Sequence, residues 1–262
     1  MIVVGMGGSH LAADLLKLLK PGLDLTIHKD YGLPSVKDQE LVVLCSYSGN
    51  TEEVLDAYDK AAGLNRAVIT VGGKLLEKAK LDGVRFSLLP SGLKPRNAVG
   101  PTLVALYELL GEKLELPEVK TVEPLEIKDR IPLIYTSNEY QALGYILKIN
   151  FNETGKIPAF NDTLPEADHN EINSFTKFNN FYAIFVTDET DHPKIVKRME
   201  ITAKLYKEIG IPCKFIQLEG QDMVHKIFNF LSFCQTTATQ VAKQYGLDPL
   251  AVPMVEKLKK EL

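Results

Sequence analysis

Cysteine is sparse: Cys45, Cys213 and Cys234 are the whole complement, all in apolar surroundings and none at metal-ligand spacing. An odd, scattered set excludes a disulfide framework and reads as the reduced thiols of a cytoplasmic protein. No apolar run approaches the roughly 18 residues of a membrane span, so a bilayer partner is not expected. Positive charge is not in excess: the formal charge is −4, and no basic stripe marks a nucleic-acid surface. The densest basic run, Lys257-Leu258-Lys259-Lys260, falls on a terminal helix and reads as a solvated face. No cluster of His, Cys and carboxylates has ligand spacing, so neither a metal nor a cofactor is expected. Met1 leads directly into Ile2-Val3-Val4 without a basic n-region or cleavage site, so no secretion signal is expected.

What the chain does have is strand–turn–helix alternation, stated twice. With 262 residues, 45% hydrophobic and 24% charged, it is long enough for two α/β lobes. Short apolar runs predict strands at Ile2–Val4, Leu25–Lys29, Leu41–Cys45, Ala67–Val71 and Arg85–Leu89. Helices are predicted at His10–Leu19, Glu52–Ala62, Leu75–Leu81 and Pro101–Gly111. A charged stretch with Pro117 and Pro124, Glu112–Asp129, reads as a connector. Strands at Pro132–Tyr135, Phe181–Val186 and Cys213–Gln217 then alternate with helices at Glu139–Phe151, Lys194–Ile209 and Asp222–Tyr245. A last helix is expected to start at Asp248-Pro249. This order predicts an α/β fold with a doubly wound, mainly parallel sheet in each half, divided into residues 1–125 and 126–262.

Two turns in the first half carry anion-binding chemistry. Gly5-Met6-Gly7-Gly8-Ser9 follows the first strand, where glycines let backbone N–H groups approach an anion at a helix N-terminus. A dinucleotide fingerprint, G-x-G-x-x-G, would need glycine at His10. Asp30 could still serve as a ribose acceptor, so an oxidoreductase is a weaker alternative. Ser46-Tyr47-Ser48-Gly49-Asn50-Thr51 places three hydroxyls and a glycine between strand and helix. A simple N-cap needs one hydroxyl, whereas a phosphate ester uses several donors and the helix dipole together. Further on, Arg96 in Lys94-Pro95-Arg96-Asn97-Ala98 could steady an anion or sit on the surface.

The second half is organised around residues 152–170. The amphipathic run ending at Phe151 must fail near Gly155 and Pro158, leaving Glu153 at the end of a rigid element. After Pro165 come Glu166, Asp168 and His169, expected in irregular chain. A carboxylate and an imidazole on loops beside a helix could supply a base and an acid. His28 and His225 are expected to pack or lie on the surface.

The strings Asn152-Glu153, Lys156-Ile157-Pro158-Ala159 and Pro165-Glu166 followed by His169-Asn170-Glu171 resemble the signature of the bifunctional phosphoglucose/phosphomannose isomerase family. The likeness runs through nearly the whole chain and implies two sugar-isomerase (SIS) subdomains. It implies an enzyme that interconverts glucose 6-phosphate, and mannose 6-phosphate, with fructose 6-phosphate through a cis-enediolate. Glu153 would be the base, Arg96 would sit beside the reacting carbons, and His169 and Lys259 would open the ring, with Lys257 a second candidate for the lysine. Gly8, Ser9, Ser46, Ser48 and Thr51 would hold the sugar phosphate. The resemblance also implies a homodimer whose sites are shared between subunits. A silent sugar-phosphate sensor using the same cradle is the alternative.

Departures from the pattern are few. Thr154 replaces a second asparagine, and Ile146 stands where relatives commonly have arginine, although Lys148 fits. Leu250 replaces a threonine that bears on accepting mannose as well as glucose epimers. The resemblance also leads one to expect an N-terminal helical segment ahead of the first strand, Ile2-Val3-Val4.

Overall fold

The computed structural model describes residues 1–120, 122–177 and 179–261, with the side chains of Thr176, Lys259 and Lys260 outside the described set. The chain divides into two compact units, Met1–Leu116 and Pro117–Leu262.

In the first unit the strands are β1 (Ile2–Val4), β2 (Thr26–His28), β3 (Val42–Cys45), β4 (Arg66–Thr70) and β5 (Arg85–Leu88). They form a parallel sheet in the order β2-β1-β3-β4-β5. The central strands are buried on both faces, which is why they read as unbroken apolar runs rather than alternating ones. Helices α1 (Leu11–Leu19), α2 (Glu52–Lys60), α3 (Gly73–Leu81) and α4 (Val99–Leu109) cover it. The crossover from β1 to β2 runs one way across the sheet and that from β3 to β4 the other, so right-handed connections place α1 and α2 on opposite faces. Ile2, Val4, Val42, Leu44 and Val68 pack with Val54, Ala57 and Tyr58 of α2 and Leu75 and Ala79 of α3. On the other side α1 packs with α4.

The second unit repeats the plan with β6 (Ile131–Ser137), β7 (Phe160–Leu164), β8 (Phe181–Thr187) and β9 (Cys213–Gln217). They form a parallel sheet in the order β7-β6-β8-β9. Its helices are α5 (Gln141–Asn150), the short α6 (Ala167–Asn170), α7 (Pro193–Glu208), α8 (Met223–Gln244) and α9 (Pro253–Glu261). Leu133, Tyr135, Ala183 and Phe185 pack with Met199, Ala203 and Tyr206 of α7, while α5 and α8 pack together. Side chains of α8 and of Tyr245, which ends it, peg the preceding connector at intervals of about two turns. The Asn229 and Thr237 side-chain oxygens and the Tyr245 hydroxyl accept the backbone N–H groups of Lys120, Leu125 and Asp129.

Three elements differ from the sequence reading. Residues 160–164, where no strand is predicted, form β7, and His169 lies in α6 rather than in irregular chain. The last helix begins at Pro253 and not at Asp248, because proline occupies its first turn. None of the described helices is long and apolar enough to cross a membrane.

Burial pushes the Cys45 thiol up to about 12, the half-buried Cys213 thiol up to about 11, and Cys234 well above its usual value. The thiolate is the reactive form. At pH 8 the native protein should therefore show no rapidly reacting thiol toward a disulfide reagent, and the denatured chain should show three. A fast native thiol would contradict this packing.

Candidate active site

In the first unit the strand order reverses between β1 and β3, and ligands of open parallel sheets bind at the carboxyl ends of the strands that flank such a reversal. Those ends are occupied by Gly5–Ser9 and Ser46–Thr51. The two turns are stitched together, because the Tyr47 N–H donates to Ser9 Oγ at 3.1 Å. Tyr47 also reaches outward: its hydroxyl donates to the Pro90 carbonyl at 2.9 Å and accepts the Leu93 N–H at 2.8 Å. This clamp fixes the segment that delivers Arg96.

Arg96 is buried, 4% exposed, in a 3-10 turn spanning Pro95–Asn97. Its backbone lies directly on Gly8, where a Cβ would come within 2.5 Å of the Arg96 nitrogen. The third glycine of the turn is thus required by the close approach of another chain segment.

Within the serine-rich loop the hydroxyls divide their work. Ser46 is buried, accepts the Gly49 N–H at 3.1 Å and lies 2.8 Å from Thr51 Oγ1. It shapes the loop. Ser48 is exposed and accepts the Asn50 N–H at 3.2 Å. Gly49 has φ +70°, and a Cβ there would meet the Gly72 carbonyl oxygen at 1.7 Å. Thr51 stands at the N-cap of α2 without a side-chain cap hydrogen bond, so the simple capping explanation for these hydroxyls fails. Glu52 and Glu53 follow in the first turn and offset part of the helix dipole.

His10, which in the sequence only breaks the glycine fingerprint, is buried at the start of α1 with Nδ1 2.5 Å from Asp14 Oδ2. The i, i+4 spacing was the available signal. Asp30 Oδ1 accepts the Tyr31 N–H at 2.7 Å.

In the second unit Glu153 lies in a π-helical turn, Phe151–Gly155, that ends α5. Single π-helical turns are frequent at functional sites. The turn stops at Lys156, whose φ of +60° is left-handed. Its motif neighbours hold it: Asn152 Nδ2 donates to the Ile157 carbonyl at 3.0 Å. The Lys156 ammonium donates to the carbonyls of Glu153 and Ala251, tying in the segment before α9. The turn also packs on α8, where Gly155 faces Ala238 and Val241. The Glu153 carboxylate is left half-buried.

His169 is exposed on α6, with Asp168 beside it bound to Arg198 and Thr202. Between Glu153 and His169 runs the whole of β7. The side chain of Lys259 is outside the described residues, and Lys257 is exposed on α9. Asp222 caps α8 by accepting the His225 N–H at 2.9 Å, with the His225 ring Nδ1 2.8 Å from the same oxygen, and His28 Nε2 is 3.3 Å from the Tyr31 carbonyl.

Residues 123–262 match the family model described as the bacterial phospho-glucose isomerase C-terminal SIS domain. The chain is 31% identical to a bifunctional phosphoglucose/phosphomannose isomerase of Aquifex aeolicus, across 100% of this chain and 90% of that protein. It is 30% identical to the protein of the same name from Thermoplasma volcanium, covering 100% of this chain and 91% of the relative. In fold it is similar to the crystal structure of a hypothetical protein, TT0462, from Thermus thermophilus. That likeness has a TM-score of 0.70 at 16% identity and covers 98% of this chain and 81% of the other. By the extent of the family model and the full-length relatives, this chain belongs to the bifunctional phosphoglucose/phosphomannose isomerase family.

Proposed function

We propose that this protein interconverts glucose 6-phosphate, and mannose 6-phosphate, with fructose 6-phosphate in the cytoplasm. The observation that carries the reading is Glu153, a half-buried carboxylate on a π turn that is fixed by its own motif neighbours Asn152 and Lys156. A base that moves a proton between adjacent carbons must be rigid to within a fraction of an ångström, and this turn supplies that rigidity.

Glu153 takes the proton from C2 of the open-chain aldose and returns it to C1 of the cis-enediolate. Charge develops on the oxygens of that intermediate, and Arg96 offsets it from a buried position. His169, with Lys259, moves protons on the ring and hydroxyl oxygens during ring opening. The phosphate ester is held by Ser9, Ser48, Thr51 and the N–H groups of the first turn of α2, with Ser46 and Gly8 shaping the cradle. Phosphate binding far from the reacting carbons helps to orient them.

The loop hydroxyls are tested by replacing Ser48 and Thr51 with alanine together. Each hydrogen bond lost to a charged group is worth roughly 1.5–3 kcal/mol, so KM for fructose 6-phosphate should rise tenfold or more. An unchanged KM would move the phosphate elsewhere.

The functional unit we propose is a homodimer with composite sites. Glu153 precedes β7 and His169 follows it, and a five-residue strand sets its two end residues on the order of 13 Å apart at about 3.3 Å per residue. A single chain is thereby hindered from bringing both groups to one sugar, whereas a two-fold partner can supply the second. Glu153→Gln and His169→Ala proteins should each lose at least about 10²-fold in kcat. Mixed under conditions that exchange subunits, they should regain activity toward about a quarter of wild type, since half the dimers are mixed and each has one intact site of two. No recovery despite proven exchange would place both groups in one chain's site.

A further inference from the structure

α6 has only four residues, far too few to be stable by its own hydrogen bonds. Yet it carries the exposed His169, and its frame is anchored on both sides of that residue. On the preceding side, Asp168 Oδ2 accepts from Arg198 Nη1 at 3.1 Å and Asp168 Oδ1 from Thr202 Oγ1 at 2.8 Å, both on α7. On the following side, Glu171 Oε2 accepts from the Tyr135 hydroxyl of β6 at 3.0 Å, and the Tyr206 hydroxyl of α7 lies 3.0 Å from that of Tyr135. The Tyr135 hydroxyl has one proton; spent on Glu171, it leaves Tyr206 as the donor to Tyr135. Phe175, in the 3-10 segment that continues from Glu171, packs edge-on against Phe181 and Tyr206 at 5.1 Å.

We propose that Asp168 and Glu171, with Thr202, Tyr135 and Tyr206 behind them, are positioning residues that set the orientation of the His169 ring. The inference rests on the reading in which His169 moves protons on the sugar oxygens. Burial pushes the Tyr206 phenol up to about 12 and the Tyr135 phenol higher still, so both remain neutral donors throughout the working range. Burial also raises Glu171. A carboxylate held in a partly dry site makes a stronger hydrogen bond to a phenol than it would in water. None of these groups needs to touch substrate. They act through the backbone on which His169 is mounted.

The test uses the full-length protein and fructose 6-phosphate. Glu171→Ala and Thr202→Val should each lower kcat about tenfold or more with KM changed less than about twofold, since a displacement near 1 Å costs up to about 10²-fold. Glu171→Gln keeps an acceptor for the Tyr135 hydroxyl and should restore most of kcat. In the His169→Ala background, neither Glu171→Ala nor Thr202→Val should cost anything further. Equal losses in both backgrounds, or unchanged kcat in the wild-type background, would overturn the inference. Thr202→Val is nearly isosteric and keeps the test sound if Glu171→Ala fails to fold. The ring resonances of His169, identified by their loss in His169→Ala, give an independent readout. They should shift and broaden in both anchor variants, and resonances that do not move would also overturn the inference. If His169→Ala itself retains full kcat, it is the role of His169 that fails, and the ring resonances still report whether the anchors orient it.

Discussion

The close approach of the Arg96 backbone to Gly8 is the constraint on which the candidate anion cradle of the first unit depends. A side chain at Gly8 would intrude to 2.5 Å from the Arg96 nitrogen, so the glycine-rich turn and the arginine can occupy the same end of the sheet only because Cβ is missing. Parallel strand order then brings the second loop alongside, since β1 and β3 are neighbours whose connections leave in opposite directions. Tyr47 locks the arrangement. Its N–H binds one turn and its hydroxyl the segment that leads to the other. Every group assigned to the cradle depends on these few contacts, and none lies in the sheet itself.

The second unit has the same reversal, between β6 and β8, yet its assigned groups flank β7 instead. Glu153 is held at the end of α5 by a π turn, and His169 by a helix of one turn anchored through Asp168 and Glu171. In both places the assigned group sits on an element too short or too irregular to persist alone. Rigid strands and α7 and α8 supply the stability, and the irregular pieces supply the aim.

Much of this was legible in the residues and some was not. The buried central strands were plain because both faces are covered, leaving runs such as Leu41-Val42-Val43-Leu44-Cys45. β7 was hidden because Phe160-Asn161-Asp162-Thr163-Leu164 contains residues depleted from strands, tolerated here because β7 is at the edge of its sheet. α6 was hidden because four residues carry no periodic signal. The division of labour between a buried Ser46 and an exposed Ser48 depends on the Gly49 turn and its contact with Gly72, which no local pattern encodes. The same holds for Tyr47, whose hydroxyl finds its partners more than forty positions away. The motif strings around Glu153 pointed to the family, but the jobs of Asn152 and Lys156 in holding the turn needed coordinates.

The central claim is that Glu153 carries a proton between C2 and C1. It is tested most directly by letting the enzyme interconvert glucose 6-phosphate and fructose 6-phosphate in D₂O and reading deuterium in the sugar by mass and NMR. A carboxylate base exchanges its proton with solvent between cycles, so deuterium should accumulate at C1 of the ketose and C2 of the aldose, and should vanish with Glu153→Gln. Sugar that stays free of deuterium through many cycles would mean hydride transfer, and uptake undiminished by the substitution would mean another base. Either result would contradict this account.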